Sequence, residues 1–297
     1  MTTEANGASL RPALIRCAFW IAAAAAFGGF LWLRRGPEPA QQYLAGYLIE
    51  LSLSVDNLFV FTLVFERFAI EPARQHRVLF WGIVGAVVMR TVLILAGVEA
   101  IARLHWLLYV FGALILATGA RLALSSAPQA GFDPADNAVL RFLMRHIPMT
   151  AESSGARFFS RMNGRLAATP LLVALIVLET ADLVFAIDSI PAVVAVTRDA
   201  FIATASNVFA ILGLRSLYLV VSGAMRHFRF LRAGLSAVLI FIGARMLAEP
   251  WVRLPTSATL GVIGGILGAA IAASYFMKRD SHSGLGRGQD FQGPKTR

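Results

Sequence analysis

The stretch VLETADLVFAIDSIP, residues 177–191, sets the carboxylates of Glu179, Asp182 and Asp188 among side chains apolar enough for the interior of a lipid bilayer. An acidic side chain at the bilayer centre costs about 2.5–3.5 kcal/mol on insertion scales, and acidic residues retained in membrane spans usually serve a function. The stretch therefore predicts a membrane helix whose acidic residues hold a ligand.

The composition indicates that most of the remaining chain is also embedded in a membrane. Hydrophobic residues make up 57% of the 297 residues and charged residues only 15%, which is too apolar for a soluble globular protein. A membrane helix needs about 20 mainly apolar residues. Eight such spans are expected, at 13–33, 42–64, 78–98, 105–123, 170–196, 200–222, 231–248 and 256–277. We therefore expect an all-α, polytopic membrane protein with about eight transmembrane helices.

The basic residues fall in alternate loops between the predicted spans. With a cytoplasmic N-terminus, 19 Lys and Arg residues lie on the cytoplasmic side and 6 on the other. This excess follows the positive-inside rule and puts both termini of a multi-pass protein in the cytoplasm. The net charge of +10 is therefore a topology signal, and we expect a cell inner (cytoplasmic) membrane protein that binds lipid and no nucleic acid.

Three motifs recur at nearly one spacing, which predicts an internal repeat. The matching segments are GARLAL at 119–124 and GARMLA at 243–248, MRTVLIL at 89–95 and LRSLYLV at 214–220, and SVDNLFVF at 54–61 and TADLVFAI at 180–187. They align Arg90 with Arg215 and Asp56 with Asp182. Each repeat holds three spans, and an odd number of spans inverts the second copy in the membrane. Inverted repeats are typical of secondary transporters, whose sites lie where the copies meet.

The repeat and the spans divide the chain into six segments. They are an N-terminal transmembrane helix with the first external loop (1–41), the first three-helix repeat (42–123), a cytoplasmic linker (124–169), the second three-helix repeat (170–248), a C-terminal transmembrane helix (249–277) and a disordered cytoplasmic tail (278–297). Within the linker we expect a solvated loop and one short amphipathic helix around 137–147.

The charges deep in the predicted spans do not balance. Five acidic residues lie there, against two arginines, Arg90 and Arg215, so full ionisation would leave three negative charges in excess. Such an excess in a low dielectric requires protons or a bound cation. Interhelical salt bridges that only fix the packing are the alternative, although two arginines cannot neutralise five acids.

The donor types indicate a hard cation. Glu50 and Asn57 are seven residues apart and share one helix face. Carboxylates, the amide oxygens of Asn57 and Asn207, hydroxyls and backbone carbonyls suit Mn²⁺, Mg²⁺ or Ca²⁺. All five histidines fall at span ends or in loops, and Cys17 is the single cysteine, so a thiolate site for Zn²⁺ or Cu⁺ is not expected.

Pro191 bears on where Asp188 points. On a straight helix Glu179 and Asp182 share a face, whereas Asp188 lies opposite Glu179. Proline removes a backbone hydrogen bond and disfavours helical angles just before it. We expect the helix to kink or unwind near DSIP, which would turn Asp188 and a free carbonyl inward, as discontinuous transporter helices do. A kink without a ligand is the alternative.

At these residues the sequence resembles a known family. The segments GYLIELSLSVDNLFVF, ATPLLVALIVLETADLVFAIDSIPAVVAVT and SNVFAILGLRSLYLVV, with RFFSRMNGR in the linker, are similar to the signature stretches of TerC integral membrane proteins, in particular the Alx type of pH-responsive manganese exporter. The resemblance covers about residues 40–277. It implies a transporter fold of the lysine-exporter superfamily type, Mn²⁺ efflux and a metal site made of Glu50, Asp56, Asn57, Glu179, Asp182 and Asp188.

We therefore expect a divalent cation exporter for Mn²⁺, with proton coupling, in which the cation is the transported substrate and no cofactor is needed. The alternatives are a membrane scaffold or assembly factor for metal loading or membrane-protein biogenesis, and a tellurite-resistance protein. No enzyme is expected, because the motifs supply no combination of nucleophile, base and oxyanion-stabilising groups. The sequence leaves the oligomeric state open.

Overall fold

A computed structural model describes residues 7–124, 141–142, 145, 157–162, 165–221, 231–252 and 254–283. These residues form eight long helices and one β-hairpin. The elements are α1 (Gly7–Arg35), α2 (Pro37–Arg67), α3 (Pro72–Arg103), α4 (Leu107–Leu124), β1 (Phe159–Met162), β2 (Arg165–Ala168), α5 (Pro170–Val196), α6 (Ala200–Val221), α7 (Leu231–Ala248) and α8 (Thr256–Ser283).

A helix stands at each of the eight predicted positions. Five of them, α1, α3, α4, α5 and α8, contain segments long and apolar enough to cross a membrane, and Ala200–Leu214 of α6 is apolar but shorter. The chain is thus an all-α, multi-pass membrane protein, as expected. Of the five, α5 is the most deeply buried, with 44% of its apolar window inside the protein against 17–28% for the others.

The loop between the first two helices is much shorter than predicted. The organisation into segments placed a loop before residue 42, whereas α2 already begins at Pro37 and Gly36 alone separates it from α1. Gly36 has φ of 93°, a conformation that glycine adopts without a steric penalty. Pro37 then starts the next helix at a position where its missing N–H needs no partner. One glycine therefore makes the whole turn.

Two further boundaries differ from the prediction. The tail was expected to be disordered from residue 278, but α8 continues to Ser283, since residues 278–283 contain no glycine or proline and Gly284 follows them. In the linker, Arg141, Phe142 and Arg145 are helical, while most of the helix expected at 137–147 lies outside the described residues.

The linker also ends in a hairpin that the sequence analysis missed. Strands β1 and β2 are antiparallel, with Phe159 opposite Ala168 and Met162 opposite Arg165. Two residues, Asn163 and Gly164, connect them in the sequence, and Asn-Gly between two strands is the strongest short-range hairpin signal. Thr169 then connects this hairpin to the start of α5, because its hydroxyl donates a hydrogen bond to the Phe158 carbonyl at 3.0 Å.

The helices pack as a bundle with α2 and α5 at its centre. Helix α2 contacts α1, α5, α6 and α8, while α5 contacts α2, α3 and α4. The two largest apolar clusters of the bundle lie around Ile94, Ile115 and Ile242 and around Leu58 and Val177. The motif-bearing helices are therefore the ones most enclosed by other helices.

Helices α4 and α7 make the closest helix pair. A Cβ added at Gly119 would lie 2.8 Å from the backbone nitrogen of Ile240, and one added at Gly243 would lie 2.6 Å from that of Leu116. The Ser236 hydroxyl donates to the Gly119 carbonyl at 2.8 Å. Only glycine leaves room for this approach, because real Cβ atoms essentially never come so near other heavy atoms.

Candidate metal centre

Arg90 is the buried charge around which the centre forms. It lies near the middle of α3 and is 1% exposed, between Glu50 of α2 at 0% and Asp182 of α5 at 8%. Its guanidinium is ion-paired with the Glu50 carboxylate. It also donates to both oxygens of Asp182, from Nη2 to Oδ1 at 2.6 Å and from Nε to Oδ2 at 2.9 Å. One side chain thus ties three helices together in the middle of the bundle.

Two neutral side chains extend this network. Arg90 Nη1, the nitrogen that is ion-paired with Glu50, also donates to the Ser189 hydroxyl at 3.2 Å. Asn57 of α2 donates from Nδ2 to Asp182 Oδ1 at 3.4 Å. Asp182 and Ser189 are about two turns apart on α5, so the guanidinium reaches along this helix as well as across to α2.

Several buried oxygens of the centre accept no hydrogen bond within the described part of the chain. They are Oε2 of Glu50, the hydroxyl of Ser54 and the amide oxygen of Asn57. The other oxygen of Glu50, Oε1, is ion-paired with Arg90. An unpaired buried acceptor costs about 1–3 kcal/mol. Oxygens of these types are ligands of hard divalent cations, so they fit such a substrate.

A small cavity adjoins the centre. Its volume is about 20 Å³, room for one species of the size of a water molecule. The polar groups on its wall are Ser54, Arg90, Glu179 and Asp182, and the rest of the lining is apolar. Ser54 of α2 and the carboxylates of Glu179 and Asp182 on α5 therefore face a space with room for a single dehydrated cation.

Glycines on α3 make room for Glu179. A Cβ added at Gly85 would lie 2.6 Å from the Glu179 carboxyl carbon and 2.7 Å from its Oε2, whereas one at Gly82 would be 3.9 Å from Oε1. The sequence analysis overlooked both glycines, although they stand three residues apart on the helix that carries Arg90. That spacing on a helix face was the available signal.

Asp188 points elsewhere than expected. A kink or an unwound segment was predicted near DSIP. Helix α5 runs unbroken from Pro170 to Val196 with Pro191 inside it, so the unwinding is wrong. A bundle can enclose a proline in a helix because neighbouring groups compensate for the lost hydrogen bond. Asp188 then lies on another side of α5 from Glu179 and accepts a hydrogen bond from Thr118 of α4 at 3.1 Å.

Asp56 and Arg215 are helical residues of α2 and α6, and their side chains lie outside the described part. Among the described residues, no three His, Cys, Asp or Glu side chains converge in a group that could hold a metal ion. The guanidinium of Arg90 stands between two of these acids, Glu50 and Asp182. Of the six predicted ligands, the structure brings together Glu50, Asn57 and Asp182, with Glu179 on the adjoining cavity.

The fold and this centre define a class: multi-pass helical membrane proteins with a buried, ion-paired cluster of acids at mid-bundle. The model of the integral membrane protein TerC family matches residues 35–282, and the chain belongs to that family.

Relatives agree with this assignment. An uncharacterized membrane protein of Myxococcus xanthus, STKORF319, is 47% identical over 276 residues, which are 93% of this chain and 86% of the relative. A protein of Salmonella typhi named as a candidate membrane-bound redox modulator, Alx, is 46% identical over 82% of this chain and 76% of its own length. Its namesake in Escherichia coli K12 is 41% identical over 89% and 84%. No solved structure matches the chain.

Proposed function

We propose that the protein is a secondary transporter that exports a divalent metal cation, Mn²⁺, across the cytoplasmic membrane. The observation that carries the proposal is the meeting of Glu50, Asn57 and Asp182 at mid-bundle, with unpaired buried oxygens beside a cavity that Glu179 also lines. The proposed ligands are Glu50, Asp56, Asn57, Glu179 and Asp182, whereas Asp188, which accepts a hydrogen bond from Thr118 of α4, is left outside the set. Oxygen donors of this kind favour Mn²⁺, Mg²⁺ and Ca²⁺ over softer metals.

The α4–α7 contact supports inverted repeats. Gly243 lies 124 positions after Gly119, and Ile240 lies 124 positions after Leu116. Gly119 approaches Ile240 while Gly243 approaches Leu116, so each contact is the repeat image of the other. Reciprocal contacts of this kind arise when a two-fold axis relates two copies. Exchanging the two copies of the repeat places α2 on α5 and α6 on α3. The α2–α6 contact then corresponds to the α5–α3 contact, and both contacts are present.

The proposed transport cycle uses this arrangement. The cation enters between the repeats, displaces protons from some of the carboxylates and is released on the far side as one repeat rocks against the other. Because protons and metal compete for the same oxygens, export should be coupled to protons. With both termini in the cytoplasm, release occurs at the ends of α1 and α5.

A second cavity at that end fits an exit route. It measures about 360 Å³ and is lined by Glu38, Arg198, Arg245 and Glu249, among others. Arg198 donates to Glu249 at 2.6 Å, which links the α5–α6 turn to the end of α7. Opening of this exposed ion pair would cost little, since surface pairs contribute about 0–1 kcal/mol.

The name of the Alx relatives raises a redox role as another candidate. The chain has one cysteine, Cys17 in α1, so it cannot form an intrachain disulfide. A dithiol mechanism within one chain is therefore ruled out by its composition. Cys17→Ser separates the two roles, because an exporter should keep its transport rate after this change, while a thiol-dependent redox protein should lose its activity.

Uptake of radioactive Mn²⁺ into inverted membrane vesicles tests the proposal. Vesicles that contain the protein should accumulate Mn²⁺ faster than vesicles from cells lacking it. Unlabelled Mg²⁺, Ca²⁺ and Zn²⁺ added in separate reactions rank the cations by competition. Equal uptake by both vesicle types would overturn the transport proposal and favour a scaffold or assembly role, and tellurite tolerance of the same cells tests the role that the family name suggests.

A further inference from the structure

Arg90 satisfies the acidic centre in a way that excludes a metal ion. The guanidinium of Arg90 donates hydrogen bonds to both oxygens of Asp182, and its ion pair with Glu50 neutralises the second carboxylate. A divalent cation that binds these carboxylates needs the same oxygens. The guanidinium and the cation therefore cannot both hold Asp182 in full, and they compete for it.

The network also offers the guanidinium a second partner. Ser189 accepts a hydrogen bond from Arg90 Nη1 at 3.2 Å and is 0% exposed. It lies about two turns from Asp182 along α5. Arg90 can thus turn away from Asp182 while it keeps a hydrogen bond inside the bundle, which limits the penalty for moving a buried charge.

We propose that Arg90 is a tethered counter-cation, which fills the acidic centre of the empty transporter and is displaced from Asp182 towards Ser189 when the metal binds. The inference rests on the proposed function and adds to it a role for a basic residue among the acidic ligands.

This role has a consequence for transport. After it releases the metal, a transporter must change back to its starting conformation with an empty site. Its buried carboxylates then need another positive charge beside them, because buried unpaired charges are costly. Arg90 supplies that charge to the empty form. Loss of its charge should favour the metal-bound form and hinder the return of the empty form, so that net export and metal-for-metal exchange are affected differently.

Three forms of the full-length protein test the inference: the unchanged protein, Arg90→Gln and Ser189→Ala. Purified in detergent, each is titrated with Mn²⁺ alone while its melting temperature is followed, which yields Kd from the dependence of stability on ligand concentration. Arg90→Gln should bind Mn²⁺ about tenfold more tightly or better, within the range of coupled sites. Ser189→Ala should bind it more weakly, because the displaced guanidinium has lost its partner.

Flux in proteoliposomes provides the second readout. With Mn²⁺ on one side only, Arg90→Gln should lose most of the net flux of the unchanged protein, and with Mn²⁺ on both sides it should lose a clearly smaller share of the exchange of label. A residue that only held the fold together would lower both fluxes alike. Arg90→Lys keeps the charge without the planar fork, and should retain net flux better than Arg90→Gln.

The outcomes separate the two proposals. If the unchanged protein shows no Mn²⁺-dependent stabilisation, the proposed function itself fails. If it does bind Mn²⁺, but Arg90→Gln is folded and binds equally or less tightly, the counter-cation role is overturned and the transport proposal stands. If Arg90→Gln does not fold, Ser189→Ala decides: weaker binding supports displacement towards Ser189, and an unchanged Kd overturns it.

Discussion

The α4–α7 contact and the Arg90 centre follow the proposed internal repeat to different degrees. At the α4–α7 contact, Gly119 and Gly243 hold matching positions of that proposed repeat and approach each other's helices reciprocally. In the Arg90 centre, three of the polar residues have apolar images. The positions that correspond to Glu50, Asn57 and Glu179 hold Ile176, Leu183 and Leu53, which are 126 positions away.

This difference distinguishes the packing contact, which both copies can share, from the polar centre, which occurs once among the described residues. A contact made of glycines and apolar side chains works equally well in both copies, because close packing has no need of a unique partner. The polar centre concentrates its charges around one arginine, and a single bundle has one such centre among its described residues. We infer that the symmetric contact holds the two copies together and that the asymmetric centre carries the chemistry.

The largest expected effect is at the centre itself. Asp182→Asn removes a charge with almost no change in shape, so the protein should reach the membrane while Mn²⁺ tolerance of cells that depend on it is abolished. Asp56→Asn, its repeat image, is expected to do the same. Asp199→Asn is the matched control, since that exposed residue caps α6 through its Oδ1 and asparagine caps equally well. Normal tolerance with Asp182→Asn would favour the salt-bridge alternative.

Replacing the buried cation tests the fold of the same region. Arg90→Leu leaves Glu50 and Asp182 without their partner, at a cost of about 3–5 kcal/mol, so the amount of protein in the membrane should fall sharply. Arg103→Leu on the same helix removes an exposed i,i+4 pair with Glu99 and should leave the amount unchanged. Immunoblots of membrane fractions measure both, and equal amounts for the two variants would show that the Arg90 network contributes little to stability.

The symmetric contact should respond symmetrically. Gly119→Ala and Gly243→Ala each force a Cβ against the backbone of the facing helix, and overpacking of this kind costs about 1–3 kcal/mol. The two losses should be similar in size. Gly264→Ala on α8, which meets no heavy atom within 4 Å, should be neutral or stabilising by up to about 1 kcal/mol. Thermal unfolding in detergent compares them, and a marked inequality between the first two would argue against a two-fold relation.

A smaller effect should reveal whether Glu179 contributes to the site. Gly85→Ala displaces the Glu179 carboxylate, whereas Gly82→Ala adds only an ordinary contact with it. The first should reduce the rise in melting temperature produced by Mn²⁺ several-fold, and the second should leave it near the value of the unchanged protein. Identical responses would remove Glu179 from the ligand set.

The smallest effect is expected at Asp188, which the structure separates from the other acids. Thr118→Val removes its hydrogen bond at a cost of about 0.5–1.5 kcal/mol, with little change in transport. Asp188→Asn should lower Mn²⁺ uptake into vesicles less than Asp182→Asn does. An equal loss of uptake would put Asp188 on the path of the cation despite its distance from Arg90.

Much of this architecture could be predicted from the sequence, because a membrane span is recognised by its length and its apolar composition. The bounds predicted for α5, 170–196, are those of the structure. Breaks were harder to place: a loop was predicted where Gly36 alone makes the turn, and an unwound segment where Pro191 sits in an intact helix. The conformational preferences of Gly36 and the proline after it determine the short turn, whereas packing in the surrounding bundle determines that the helix stays intact at Pro191.

The centre was harder to predict than the helices that carry it. The sequence indicated that Arg90 and the acids lie at similar depths, but rotation of each helix about its axis decides which acid meets the arginine. Side-chain spacing fixes directions within one helix and not between helices. Hence the pairing of Arg90 with both Glu50 and Asp182, and of Asp188 with Thr118, came only from packing.

Equilibrium binding of radioactive Mn²⁺ to purified protein tests the central claim most directly, because it needs neither a cell nor a gradient. The unchanged protein and Asp199→Asn should both bind Mn²⁺ saturably, and Asp182→Asn and Glu50→Gln should have lost that binding while they remain folded. Equal binding by all four proteins, or none by the unchanged protein, would contradict the claim that the acids around Arg90 form the cation site.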